Sequence, residues 1–307
     1  MKYVFGVDIG GTTVKIGLFD VEGNVLDKWE IPTRTENDGE EILPDVADSI
    51  REKMKQMDKD AIAGVGVGAP GPIDAGGVVH RAVNLGWKTF NVKETLEALI
   101  NLPVRAGNDA NVAALGEMWK GGGAGSDSVV MVTLGTGVGG GIINNGKIVT
   151  GVHGAGGEIG HIHVTDDVER NCNCGNRGCL EQVASATGIT YLAKRRLQKD
   201  DMPSVLRNGQ VSAKTVFDAV KAGDALAMEV AEEFGKYLGT ALANVACVAD
   251  PEIFVIGGGV SKAGQVVIDY IKKYYMATAF MTCKQARFAL AELGNDAGIY
   301  GAAKMVL

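Results

Sequence analysis

The sequence predicts a duplicated two-domain α/β protein, and three observations carry that prediction. The chain opens on three short strands followed by a helix and a buried strand, in the order β-β-β-α-β. A second stretch, "VVMVTLGTGVGGGIINNGKIV" (129–149), resembles the opening "YVFGVDIGGTTVKIGLFDVEGNVL" (3–26) when Gly11-Thr12 is set against Gly135-Thr136. Val14 then meets Val138, Gly17 meets Gly141, and Leu18-Phe19 meets Ile142-Ile143. Finally, glycine (44 of 307 residues, about twice its usual share) gathers in a few tight clusters rather than in a repeat.

The elements follow in order. "YVFGVDI" and "VKIGLFD" are rich in β-branched and aromatic residues, and "NVLDKWEI" alternates apolar with polar. The connections "GGTT" and "VEGN" read as hairpin turns. From Gly39 to Met57 the period changes: Ile42, Leu43, Val46, Ile50 and Met54 share one helical face. "AIAGVGVGAPG" is a buried strand running into a Gly/Pro turn. Val104 to Ala106 ends the next strand, and a helix is expected to begin near Asn111. After Gly188 helices dominate, at 213–222 and 224–248, the second stopped by "ADP" at Pro251. "EIFVIGGGVSKAGQVVIDYIKKYY" reads as strand, glycine turn and helix, and "DAGIYGAAKMVL" closes the chain as a small-residue helix.

Composition excludes several classes. With 46% hydrophobic and 22% charged residues the chain suits a soluble globular protein with a sizeable core. A net charge of −7 without any basic block leaves no electrostatic footprint for nucleic acid. No apolar run approaches the roughly 20 residues of a membrane span, and the N-terminus lacks a signal-peptide pattern. A cytoplasmic protein is expected, in which five cysteines do not suggest disulfides.

Three groups of residues carry chemistry. The glycine turns "DIGGTT" (8–13), "GTGVGGG" (135–141) and "IGGGVS" (256–261) let backbone N–H groups approach phosphate oxygens, with threonine adding a hydroxyl. Each alone reads as an ordinary tight turn; three at strand ends of a duplicated chain favour phosphate binding. Asp8, ahead of Gly10-Gly11, is either a turn cap or a carboxylate for Mg²⁺. In "PVRAGNDANVAALGEMW", Asn108 and Asp109 stand at a strand-to-helix corner. An N-cap aspartate is one reading, and a carboxylate that accepts a proton from an attacking hydroxyl is the other. Third, His161, Cys172, Cys174 and Cys179 supply one imidazole and three thiols, the four ligands of a closed zinc site; unliganded reduced thiols are the alternative. Glu158 and Glu181 flank that loop, whereas His80, His153, His163, Cys247 and Cys283 have no comparable setting.

With "DIGGTTVK", "GAPGPID", "NLGW", "GNDAN", "GEMWKG", "VTLGTGVGGG", "GAGGEIGH", "CNCGNRGCLE" and "IGGGVS" in hand, the chain resembles the ROK family of sugar kinases along essentially its whole length, and within it the bacterial glucokinases. That resemblance implies the two-lobe actin-like (ribonuclease H-like) fold with an interlobe cleft. It places residues 1–108 plus 297–307 in a small lobe and 109–296 in a large one, with a zinc-binding insertion at about 151–182. It implies ATP-dependent phosphorylation of glucose at the 6-hydroxyl, with Asp109 as catalytic base. Asn108, Asp109, Glu158, His161 and Glu181 match the residues that hold the sugar, and Gly71 and Asn84 match weaker contacts. Asp8, Gly10, Gly11 and Thr12 correspond to the first phosphate segment and the Mg²⁺ carboxylate, and Thr136 and Gly137 to the second. Gly257, Gly258 and Gly259 correspond to the adenosine segment. ATP, Mg²⁺, structural Zn²⁺ and assembly into homodimers or homotetramers are thereby expected. N-acetylmannosamine or fructose as substrate, polyphosphate as donor, and a sugar-responsive regulatory protein remain alternatives.

Overall fold

A computed structural model of the chain describes residues 2–55 and 57–307. The three opening strands are β1 (Tyr3–Ile9), β2 (Thr13–Asp20) and β3 (Val25–Pro32), followed by α1 (Ile42–Met54) and β4 (Ile62–Ala69). The expected helix from Gly39 to Met57 is therefore shorter at both ends, and Gln56 within that span lies outside the described residues. Next come α2 (Val92–Ile100), β5 (Val104–Asn108) and α3 (Asp109–Lys120). The second series is β6 (Val129–Leu134), β7 (Val138–Asn144) and β8 (Lys147–Ile148). It continues with α4 (Ala186–Leu197), α5 (Ala213–Lys221), α6 (Ala225–Ala249), β9 (Ile253–Gly257), α7 (Gln265–Thr278), β10 (Arg287–Leu290) and α8 (Ala297–Val306).

The duplication is visible in the sheets. One has the order β3-β2-β1-β4-β5 and the other β8-β7-β6-β9-β10, so each equivalent strand holds the same place. In the first, β1 pairs antiparallel with β2 and parallel with β4, and β4 pairs parallel with β5. In the second, β9 is likewise parallel to both β6 and β10. A parallel sheet of this kind must be covered on both faces, which explains the near-continuous apolar runs of β1, β4, β6 and β9.

The chain divides into two compact units. The first comprises Met1–Asp127, Gly141–Gly157 and Glu292–Leu307, so it includes α3 and α8; the second comprises Ser128–Gly140 and Glu158–Ala291. In the first unit, Phe5, Val7, Val65 and Val67 of the sheet pack with Ile42, Val46 and Ile50 of α1 and Leu96 of α2. Val4 and Phe19 on the sheet meet Ile299 and Ala303 of α8. That second face is unusually close. A Cβ on Gly6 would stand 2.0 Å from the Ile299 carbonyl oxygen, and one on Gly66 1.7 Å from that of Ala302. Between the helices, a Cβ on Gly116 would meet the Ala297 oxygen at 2.2 Å, and one on Gly301 the Val112 oxygen at 1.7 Å. Helix α8 thus rests on strand and helix backbone directly, through a seam that only glycine allows. In the second unit, α6 carries a long apolar face from Leu226 to Ala246, and Phe254 of β9 stacks on Phe288 of β10.

Glu117, fully buried near the end of α3, closes the first unit. Its carboxylate accepts the N–H groups of Gly122 (2.9 Å), Glu292 (3.0 Å) and Leu293 (2.9 Å). Three backbone donors replace the water this charge has lost, and they tie the chain leaving α3 to the segment leading into α8. No helix among the described residues is long and apolar enough to cross a membrane.

The seam gives a direct test. Alanine favours a helix over glycine by about 1 kcal/mol, whereas forcing a methyl into a closed contact costs about 1–3 kcal/mol. Gly301→Ala is therefore expected to destabilise the protein by about 2 kcal/mol in urea unfolding, against its own helix propensity. A neutral or stabilising result would contradict the backbone-to-backbone contact.

Candidate active site

In the first unit the site is built on the carboxyl ends of parallel strands, where open α/β sheets place ligands. The register sets Asp8 of β1 opposite Gly68 of β4, and Gly68 opposite Gly107 of β5; Ala69 stands opposite Asn108. Strand β5 runs two residues beyond Ala106, and α3 begins at Asp109 rather than near Asn111. The reason is the cap: the Asn108 side-chain oxygen accepts from the N–H groups of Ala110 (3.0 Å) and Asn111 (3.2 Å). Asn108, not Asp109, is thus the N-cap, and Asp109 is the first helical residue. Asn108 also donates through Nδ2 to the Gly71 carbonyl (3.1 Å) and to Asp109 Oδ1 (3.0 Å). Asp109 Oδ1 further accepts from the Ala110 N–H at 2.8 Å. One buried amide therefore links Gly71 to Asp109 and fixes the carboxylate's orientation, while the helix N-terminus favours its charge.

Asp8 is half-buried at the end of β1. Burial, then the neighbouring Asp109 carboxylate, push its pKa from 3.8 up to about 6, against the pull of Lys15. A bound cation would remove that repulsion, so the pair fits the expected Mg²⁺ carboxylate. Gly10 and Gly11 follow in the turn between β1 and β2, where Gly10 N–H donates to the Thr13 carbonyl at 3.0 Å. Exposed Asn84, in the short helical turn Val83–Leu85, borders this turn: a Cβ on Gly11 would lie 3.9 Å from that of Asn84. Thr12 is exposed in the same turn.

In the second unit, the Gly135-Thr136-Gly137 turn joins β6 to β7. Thr187 Oγ1 donates to the Thr136 carbonyl (2.8 Å), and Ala186 N–H to that of Gly135 (2.8 Å), so the start of α4 holds the turn. Glu181 lies against it, Oε2 accepting the Val138 N–H at 3.1 Å. A Cβ on Gly137 would come within 2.0 Å of that oxygen, so this glycine is the condition for Glu181 being there. Gly257 ends β9, and Gly258 and Gly259 begin the turn after it, with Gly258 in the left-handed region (φ 84°).

His161, Cys172, Cys174 and Cys179 converge, their ligand atoms all within 4.8 Å of one another. Cys174 Sγ lies 3.6 Å from Cys179 Sγ, and His161 Nδ1 3.7 Å from Cys172 Sγ. A tetrahedron with Zn–S of about 2.3 Å and Zn–N of about 2.0 Å has edges of about 3.8 and 3.5 Å; the donor set and its spacing fit zinc. Without a cation the thiols cannot ionise together. Burial, then the other two thiols, push Cys179 up to about 12, and burial raises Cys172, while the Asn176 N–H lowers Cys174. The other imidazole nitrogen, Nε2, faces Glu158 Oε2 at 3.9 Å, and Glu181 Oε1 lies 3.6 Å from Cys172 Sγ. Both glutamates therefore abut the cluster. His80, His153 and His163 are exposed.

The full length of the chain is similar to known proteins. Residues 4–307 match the model of the ROK family. The chain belongs to the ROK family. Its duplicated α/β units are those of the two-lobe actin-like sugar kinase fold. This ROK chain is 45% identical over 313 residues to a glucokinase of Halalkalibacterium halodurans, covering 99% of this chain and 95% of the relative. To a glucokinase of Thermotoga maritima it is 36% identical over 317 residues, covering 99% and 96%. The crystal structure of a ROK family glucokinase from Streptomyces griseus in complex with glucose and AMPPNP is 35% identical, with a TM-score of 0.73 over 99% of this chain and 98% of that one.

Two buried polar residues near the start and end of α3 escape a reading by motif. Asn111, the second asparagine of "GNDAN", is buried (3% exposed) and donates to the Gly156 carbonyl at 3.2 Å. Glu117 of "GEMWKG" is the buried clasp described above. An asparagine or glutamate amid helical apolar residues is the available signal; its partners, 45 and 175 residues away, are not.

Asp8 supplies a pH test. Its raised pKa means that the folded ligand-free protein binds this proton more tightly than the unfolded chain. The stability it contributes is complete below about pH 4 and is lost as pH rises through about 6. Asp8→Asn is thus expected to match the wild type near pH 4, and to exceed it by about 3 kcal/mol above pH 7 in metal-free chemical denaturation. Equal stability at both pH values would contradict the buried acidic pair.

Proposed function

We propose that this chain is an ATP-dependent glucokinase that phosphorylates glucose at the 6-hydroxyl, with Asp109 as general base. The observation that carries the reading is Asp109 on the capped first turn of α3 beside Asp8 at the end of β1, in a chain 45% identical to a glucokinase. The Asn108 amide holds the Asp109 carboxylate in one orientation, and that carboxylate accepts the sugar's proton as the hydroxyl attacks the γ-phosphorus. Asn108, Glu158, His161 and Glu181, with Gly71 and Asn84, hold the remaining hydroxyls. Backbone donors of the turns at Gly10-Gly11-Thr12 and Thr136-Gly137 steady the phosphates, and Gly257 to Gly259 receive the adenosine. Mg²⁺, when bound, neutralises phosphate charge during transfer, and Asp8 is the residue to hold it. His161, Cys172, Cys174 and Cys179 would hold a structural zinc, which would fix the imidazole and leave its other ring nitrogen for the sugar. A reducing cytoplasm keeps these thiols available.

Coupled assays across glucose, mannose, fructose and N-acetylmannosamine test the substrate; glucose is expected to give the highest kcat/KM, and a higher value for N-acetylmannosamine or fructose would replace it. Asp109→Asn should lower kcat by about 10³-fold while calorimetric glucose affinity changes less than about threefold. Lost glucose binding with retained turnover would remove Asp109 from its role. Elemental analysis should find one zinc per chain, and Cys174→Ser should lower both melting temperature and glucose affinity. A zinc-free preparation with full activity would overturn that assignment.

A further inference from the structure

The loop from Arg170 to Cys179 carries three of the four residues assigned to zinc, and its two ends are joined by a residue outside that set. Gln182, buried on the short helix Glu181–Ala184, commits its whole side-chain amide to this loop. Its Oε1 accepts the Cys179 N–H at 3.2 Å, and its Nε2 donates to the Arg170 carbonyl at 2.9 Å. The main chain repeats the pairing. Gln182 N–H donates to the Cys179 carbonyl (2.9 Å), and the Arg170 guanidinium donates to the Gln182 carbonyl (3.1 Å). That guanidinium lies over the Tyr191 ring of α4, 4.9 Å from its centre, so the clasp is anchored to a helix.

The position of His161 has a separate support. Leu180 N–H donates to the Ile162 carbonyl and Val164 N–H to that of Gly178, both at 2.8 Å, which pairs the segment after His161 with Cys179. Cys172 and Cys174 stand on the other arm of the loop, the one that the Gln182 amide ties to Cys179. An exposed bond from Arg177 Nε to Asn171 Oδ1 (2.8 Å) also spans the loop, but water competes for it. The Gln182 amide is buried, and its removal leaves the buried Cys179 N–H unpaired, which costs more than an exposed bond returns.

We propose that Gln182 is the positioning residue of the metal loop: it holds the arm carrying Cys172 and Cys174 against Cys179, and so raises zinc affinity without being a ligand. This rests on the zinc assignment made above. A loop closed in advance leaves less conformational freedom for the metal to remove, and partners of this kind typically change metal affinity about 10–100-fold. Glu181, the preceding residue, and His161 are expected sugar contacts, so the clasp acts on glucose through the metal.

Competition with a chromogenic chelator measures zinc affinity on the full chain. Gln182→Met, which keeps the side chain's length and lacks both polar atoms, is expected to bind zinc about tenfold or more weakly than the wild type. Gly301→Ala, destabilised in the first unit, should keep the wild-type zinc affinity, which separates positioning from a general loss of stability. In metal-buffered titrations the glucose affinity of Gln182→Met should fall at zinc concentrations that saturate the wild type, and return when excess zinc is added. If Gln182→Met does not fold, Gln182→Glu, which keeps the acceptor for Cys179 and lacks the donor for Arg170, should still weaken zinc about threefold or more. Zinc affinity within about twofold of the wild type in the folded variant would overturn the proposal. So would equal weakening in Gly301→Ala, or a glucose affinity that excess zinc does not restore. A wild type that binds no zinc would overturn the metal assignment itself, and the proposal with it.

Discussion

The first unit depends on the contact between α8 and the backbone beneath it. Gly6, Gly66, Gly116 and Gly301 allow that helix to lie on β1, β4 and α3 at distances no side chain tolerates. The same contact sets the chemistry: Asp8 ends β1, and Asp109 opens α3, so the two strongest candidates for phosphoryl-transfer roles stand on elements that α8 clamps. A Cβ on Gly298 of α8 would itself lie 2.4 Å from the Asp8 carboxyl carbon. Packing density at this seam and the crowding that raises the Asp8 pKa are therefore one physical fact seen twice.

A comparable economy governs the second unit. Glu181 accepts the N–H of Val138 beside the Gly-Thr-Gly turn, abuts Cys172, and can do so because Gly137 has no side chain. The cysteine cluster, a glutamate expected to touch sugar and a turn expected to touch phosphate are joined within a few contacts. Carboxylates and imidazole held this way lose little conformational freedom on meeting a polyol, which is the advantage of preorganisation.

Much of the architecture was legible in the residues. The repeat around Gly11-Thr12 and Gly135-Thr136 anticipated two sheets of like strand order, because hairpin turns and apolar alternation are local properties. The helix at 225–249 was readable from its apolar face and from its Asp-Pro stop for the same reason. The α3 boundary was not: whether Asn108 or Asp109 caps the helix depends on an amide that also reaches Gly71, 37 residues earlier. The metal-type cluster was written in ligand spacing, whereas the backbone partners of buried Asn111 and Glu117 lie far along the chain, at Gly156 and at Glu292 and Leu293. Glycine abundance was noticed at the turns; its greater structural role, the α8 seam, lies in pairings with carbonyls far along the chain.

The place of α8 in the fold has a consequence for biosynthesis. On the ribosome the whole second unit, Ser128–Gly140 and Glu158–Ala291, is synthesised before residues 292–307, which complete the first. Until Glu292 and Leu293 are made the carboxylate of Glu117 lacks two of its three amide donors, and until Ile299 and Ala303 follow, Val4 and Phe19 lack their apolar partners on α8. One face of the N-terminal sheet is thus covered only by the segment synthesised last, so completion of the first unit waits on the C-terminal helix.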